Sequence, residues 1–190
     1  MSHGGASWLE RPERDGTEQP DMLLGALHLA PDDTVADIGA GTGYLSRRIA
    51  AHLGKGGHVI ATDIQPEMLD ELRREAAKAH VTSIETVLAT ETDTKLADDT
   101  VDVALMVDVY HELAHPDVTL RQVRRALHAR GRLVLVEYRA EDPAVPIKPE
   151  HKMRAVDVIA EVAPLGFRLN EQIEVLPQQH VMVFEKTAQP

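Results

Sequence analysis

Apolar positions along this chain alternate between two rhythms. Met22, Leu23, Ala26, Leu27 and Leu29 recur at helical spacing and stop at Pro31. Thr34–Ile38 is a short β-rich run, Gly39–Gly43 a glycine loop, and Leu45, Ile49, Ala50 and Leu53 restore the helical rhythm over Tyr44–Leu53. His58–Asp63 predicts a second strand, and Pro66 suits the first turn of a helix carrying Met68, Leu69, Leu72, Ala76 and Ala79. Ile84–Ala89 predicts a third strand. Val101–Val107 is nearly all apolar, as a strand covered on both faces should be. A helix over Val118–His128, with Leu120, Val123 and Leu127 on one face, precedes Gly131 and a fifth strand, Arg132–Tyr138. A connection containing Pro143, Pro146 and Pro149 leads to a helix near Glu150–Ala163. Phe167–Leu176 and His180–Glu185 read as strands separated only by Pro177–Gln179, a link too short for anything but an antiparallel hairpin.

Five βα units and a hairpin predict an α/β fold. Its sheet should be seven-stranded and mainly parallel, with helices on both faces and the antiparallel hairpin at the C-terminal end. Ligands of such sheets lie beyond the carboxyl ends of the strands, near the point where strand order reverses. Residues 1–18 are polar and broken by Gly and Pro, with Trp8 and Leu9 as large apolar anchors. They are expected to form an N-terminal arm, and residues 19–190 a single domain.

Charge and composition narrow the partners. Against 20 basic side chains stand 31 acidic ones, a formal charge of −11, which disfavours nucleic acid and anionic membrane surfaces. The chain has no cysteine, so disulfides, thiolate metal clusters and a cysteine nucleophile are excluded. MSHGGASWLERPERDG lacks the apolar run of an export signal, and no segment approaches the ~20 apolar residues of a membrane span. A cytoplasmic location is the expectation.

The candidate chemistry starts at VADIGAGTG, Val35 to Gly43, where a strand turns into a helix. Glycines permit close backbone approach to a ligand, and the following helix aims unpaired N–H groups at it. A dinucleotide fingerprint would need glycine at position 44, where Tyr44 stands, and the G-K-S/T of a P-loop is absent. Asp63 closes the second strand, about 20 residues beyond Gly43, placed to accept both hydroxyls of a ribose.

On these residues the chain resembles the class I S-adenosylmethionine-dependent methyltransferases, over about residues 22–186 and including the reversed last strand. The resemblance implies a Rossmann-like fold and S-adenosyl-L-methionine as cofactor. It implies that Asp37 and the loop of Gly39, Ala40, Gly41 and Gly43 line the methionine part, that Asp63 holds the ribose, and that Ile64 packs on the adenine. Thr90 or Glu91 would face the adenine amine, replacing the aspartate of many relatives. Asp108 would run beside the sulfonium.

All three tyrosines fall at carboxyl ends of expected strands: Tyr44, Tyr110 and Tyr138. Together they point to a pocket lining, whose aromatic faces would attract a sulfonium. His111-Glu112-Leu113-Ala114-His115 matches the H-E-x-x-H of zinc hydrolases, but Pro116 pushes His115 out of the helical region that pattern needs, so no metal is expected. His111 remains the candidate base for an acceptor that must lose a proton, with Tyr110 positioning and His151 third. Lys148 and His151 lie in a basic stretch expected at a helix start, where cations oppose the dipole. That placement raises an anionic group on the acceptor. The reading is a methyltransferase acting on a small-molecule acceptor, with the arm carrying Trp8, Arg11 and Arg14 as its lid. The rival readings are a cofactor-binding protein without turnover and the zinc hydrolase.

Overall fold

The computed structural model describes residues 3–188. Two short helices, α1 (Ala6–Leu9) and α2 (Arg14–Thr17), form the arm and lead into α3 (Pro20–Leu27). Then follow β1 (Thr34–Ile38), α4 (Tyr44–His52), β2 (His58–Asp63), α5 (Pro66–Lys78), β3 (Ile84–Leu88) and β4 (Val101–Val107). The second half comprises α6 (Pro116–Ala126), β5 (Leu127–Arg139), β6 (Lys152–Met153), α7 (Ala155–Val162), β7 (Phe167–Ile173) and β8 (Gln179–Lys186).

The sheet runs β3-β2-β1-β4-β5-β8-β7, with β6 added beside β5. Strands β1 to β5 are mutually parallel, and β8 runs antiparallel to both β5 and β7. The chain leaves β1 on one side for β2 and β3, then returns to its other side as β4. Strand order therefore reverses between β1 and β4, directly above the glycine loop. Alternation along the strands splits the core into two layers. Val35, Val103, Leu105, Val134 and Val136 pack under α3, α4 and α5. Ala36, Ala104, Met106, Leu133 and Leu135 pack under α6 and α7. No helix among the described residues is long and apolar enough to cross a membrane.

Several elements differ from the sequence reading. The helix expected over Val118–His128 instead begins at Pro116, whose ring presets the first turn, and ends at Ala126. Leu127 is fully buried and pairs with Val101, so strand β5 starts there, and a register shift between Val101 and Val103 absorbs the extra residues. The helix expected from Glu150 starts only at Ala155. Pro149–His151 is a 3-10 turn and Lys152–Met153 a strand, so the basic stretch opposes no helix dipole. The cause lies in β5: β4 covers one edge of it only as far as Val136, and β6 occupies the free edge beyond, pairing with Tyr138 and Arg139. This short strand makes the sheet eight-stranded, where seven were expected.

Candidate active site

A cavity of about 550 Å³ opens over the carboxyl ends of β1, β2, β4 and β5, where the reversal places it. One end is built by Gly39, Gly41, Asp63 and Ile64, the other by His111, Glu112, Lys148 and His151, and Asp108 and Tyr138 stand on the wall as well.

At the first end the backbone organises a carboxylate. The N–H of Gly41 donates to Asp63 Oδ2 at 2.9 Å and that of Gln65 to Oδ1 at 2.9 Å. Each oxygen keeps a second lone pair for a ligand hydroxyl. Ile64 is 51% exposed, a large apolar surface left on the cavity wall, as a flat base would need. The hydroxyl oxygen of Thr62, on the same wall, is buried without a hydrogen-bond partner among the described residues. Thr90 and Glu91 also line this end. These features fit an adenosyl group.

Asp37 does not reach the main cavity. It lines a smaller adjoining recess with Gly39, Ala40, Gly41 and Tyr44, and accepts a hydrogen bond from the Ser46 hydroxyl. Burial pushes its carboxyl up to about 6, with the Ser46 bond opposing the shift. Asp108 has a left-handed backbone, φ 55°, and both its oxygens accept from Gln179 Nε2, at 3.0 and 2.8 Å. Burial, aided by the charge of Glu137, raises its carboxyl well above the ordinary range. Acidic side chains buried at Glu18, Asp37, Asp63 and Glu137 concentrate carboxyl groups in this region, which suits a cationic ligand.

The tyrosines separate. Tyr138 lines the cavity. Tyr44 borders the smaller recess, with the guanidinium groups of Arg14 and Arg48 at 4.1 and 4.8 Å from its ring centre, and its hydroxyl donates to Asp15. Its ring thus engages arginine cations and grips the arm. Tyr110, expected as a positioning group, is turned away: its ring joins the core layer under α6 and α7, and its hydroxyl donates to Glu161 at 3.1 Å. The 3-10 turn Tyr110–Glu112 rotates that ring under the sheet while bringing His111 to the cavity.

The histidine end is tightly connected. His111 Nδ1 lies 2.6 Å from Glu137 Oε2, and Glu137, fully buried, accepts the Tyr110 N–H through its other oxygen at 2.8 Å. His111 Nε2 lies 3.1 Å from His151 Nδ1. Glu112 Oε1 stands 3.7 Å from His151 Nδ1 and 3.9 Å from His111 Nε2. His115 takes no part; its backbone is non-helical, φ −134° and ψ 68°, and α6 begins after it. The H-E-x-x-H helix of a zinc hydrolase is not formed. Sequence reasoning missed Glu137 and Gln179. The signal for Glu137 was a lone acid after the apolar run Leu133–Val136.

The arm folds against the glycine loop. Leu9 and Arg14 line both cavity and recess, and Trp8 lines the cavity. Glu10 accepts from Thr42 Oγ1 at 2.5 Å and from Arg47 at 2.8 Å. Arg11 and Arg14 both pair with buried Glu18, at 2.6 and 2.7 Å.

Comparison with known proteins agrees with this arrangement. The family profile described as "Methyltransferase domain" matches residues 36–133, from β1 into β5. A ubiquinone/menaquinone biosynthesis C-methyltransferase of Paraburkholderia phymatum is 29% identical over 180 residues, 85% of this chain and 73% of that protein. An arsenite methyltransferase of Halobacterium salinarum is 30% identical over 107 residues, 56% of this chain, which spans only 27% of that relative's length. The crystal structure of a SAM-dependent methyltransferase from Aquifex aeolicus superposes with a TM-score of 0.91 at 24% identity, covering 97% of this chain and 98% of that one. With the glycine loop and Asp63 at the strand reversal, these matches show that the chain belongs to the class I S-adenosylmethionine-dependent methyltransferases.

Proposed function

We propose that this methyltransferase acts on a small molecule bound between the cofactor's sulfonium and the wall formed by His111 and His151. The observation that carries this reading is the continuity of the cavity: one space of about 550 Å³ joins the glycine loop and Asp63 to the histidines. That size lies in the range of small-molecule sites, roughly 300–1,000 Å³. When bound, S-adenosylmethionine supplies a methyl group on a positively charged sulfur.

The residues divide the work. Asp63 accepts the ribose hydroxyls, Ile64 covers the adenine, and Thr90 or Glu91 meets its amine. Gly39, Ala40 and Gly41 allow the methionine part close to the backbone, Asp37 attracts its ammonium, and Asp108 lies beside the sulfonium; Gly43, read with them as a lining residue, instead packs against Leu72 and shapes the turn. The arm is a lid over this half, with Leu9 and Arg14 on the cavity wall. Leu113, Ala114, Pro146 and Ile147 offer the acceptor an apolar bed, and Lys148 with His151 meets an anionic or ionisable group on it. For an acceptor that must shed a proton, the histidine wall is the side on which it leaves. Alignment does most of the catalysis, because holding two reactants in line is worth ~7–11 kcal/mol.

Calorimetry with S-adenosylmethionine and S-adenosylhomocysteine tests the first half. Binding is expected for both, and Asp63→Ala should weaken it about 10–100-fold, the loss of charge-assisted hydrogen bonds worth ~1.5–3 kcal/mol. Transfer of labelled methyl to a panel of hydroxylated quinones, phenols and carboxylate-bearing aromatics tests the second half. The quinones are included because a relative is named for quinone biosynthesis. Cofactor binding without transfer to any acceptor would favour a binding protein instead.

A further inference from the structure

His111, Glu112 and His151 come from two segments, the turn after β4 and the turn before β6, yet their ligand atoms meet at one point on the cavity wall. Nε2 of His111, Nδ1 of His151 and Oε1 of Glu112 are separated by 3.1, 3.7 and 3.9 Å. Two nitrogens bound at ~2.0–2.1 Å to a tetrahedral ion stand roughly 3.3 Å apart, so a small side-chain adjustment would seat an ion among these three. The buried Glu137 carboxylate supplies an independent indication. Its Oε2 lies 2.6 Å from His111 Nδ1, so that ring is held by Nδ1 and turns Nε2 towards the other two groups. A carboxylate behind an imidazole in this way orients a metal-ligating histidine.

We propose that His111, Glu112 and His151 form a binding site for a divalent transition-metal cation, with Glu137 as the positioning residue behind His111. Two imidazoles and a carboxylate suit Zn²⁺, Co²⁺ or Fe²⁺ better than Mg²⁺ or Ca²⁺, which take mainly oxygen ligands. The coordination set is open towards the cavity. Its use in methyl transfer rests on the function proposed above; the binding of the ion does not. An acceptor hydroxyl or thiol entering the open position would lose its proton to water more readily beside the cation. Its lone pair then forms the bond to the methyl carbon, the carbon–sulfur bond breaks, and the electron pair stays on sulfur as a neutral thioether. The acceptor class is thus a small molecule with an ionisable oxygen or sulfur that can ligate a metal.

The test is equilibrium dialysis of the full chain against Co²⁺ alone, with metal analysis, visible absorption and calorimetric binding of S-adenosylmethionine on each sample. The wild type should retain one Co²⁺ per chain with the strong visible bands of low-coordinate cobalt, displaced by Zn²⁺. His151→Ala and Glu112→Gln should lose the ion, Glu137→Gln should weaken it about 10–100-fold, and His115→Ala should bind as the wild type does. Glu112 sits at the surface, so its variant stays informative if another fails to fold. Wild-type protein without stoichiometric cobalt overturns the site, as does equal retention in both His151→Ala and Glu112→Gln, or loss in His115→Ala. S-adenosylmethionine binding without cobalt would sink the ion site alone. Cobalt binding without S-adenosylmethionine binding would sink the proposed function and leave the ion site standing.

Discussion

At Gly43 the backbone sits at φ 75°, and a Cβ there would lie 2.3 Å from Leu72 Cγ on α5. Left-handed strain and overpacking act together at this position, so Gly43→Ala should destabilise the fold by roughly 2–5 kcal/mol in urea unfolding. A loss under about 1 kcal/mol would mean that α5 retreats at little cost. Asp63 and Ile64 were singled out because a glycine loop followed by an acid at the end of the next strand is a motif of recognisable spacing, although Asp63 meets Gly41 from 22 residues away. Glu137 and Gln179 belong to no such motif, and their partners His111 and Asp108 lie 26 and 71 residues away in the chain. Tyr110 misled for a related reason. Its place at a strand end was correct, but the 3-10 turn decides which face the ring takes.

The arm is the element whose order was least visible in its composition. Its helices are too short to persist alone, and their stability comes from contacts with the domain. A Cβ on Gly41 would lie 2.9 Å from Leu9 Cδ1, so the arm and the loop fit together closely. A chain beginning at Gly16 would lose Leu9, Glu10 and both arginines of Glu18 while keeping that buried glutamate. It should bind S-adenosylmethionine at least about tenfold more weakly, ~1.4 kcal/mol, and exchange the amide hydrogens of residues 39–44 faster. Unchanged affinity and exchange would remove the lid. The connection from β5 to α7 is organised in the same way, by distant groups. Glu141 accepts the Ala155 N–H at 3.0 Å and meets His180 at 3.0 Å, and Lys152 donates to the Val145 carbonyl at 2.6 Å. Those bonds hold the turn that presents His151.

Across the whole molecule, the concentration of buried acids makes stability and cofactor binding respond to pH in opposite directions. The Asp37 carboxyl titrates at about 6 in the folded chain against an ordinary 3.8. Between these values the folded state holds a proton that the unfolded state has lost. Its contribution to stability is therefore complete below about pH 4 and is lost as pH rises through 6. The full span is on the order of 3 kcal/mol. Asp37→Asn should be more stable than the wild type at pH 7.5, and the difference should shrink towards zero by about pH 4, as read from urea unfolding at several pH values. A difference independent of pH would contradict the burial of a charge there. The cationic cofactor favours the ionised carboxylate, so its affinity for the wild type should fall as pH drops below about 6, and less so for Asp37→Asn. Calorimetry across that range measures both.

By itself the sequence determined the alternation of strands and helices, the parallel sheet closing in a reversed hairpin, and the loop and acid at the strand reversal. Each follows from a periodicity that an element repeats, from a link too short to allow another connection, or from a motif of fixed spacing. Tertiary structure alone decided that the arm folds over the loop, that Tyr110 turns inward, that β6 replaces a helical turn, and that Glu137 and His151 converge on His111. These outcomes depend on which strand edge remains free and which buried charge needs a partner, and both are set only once distant segments are packed together.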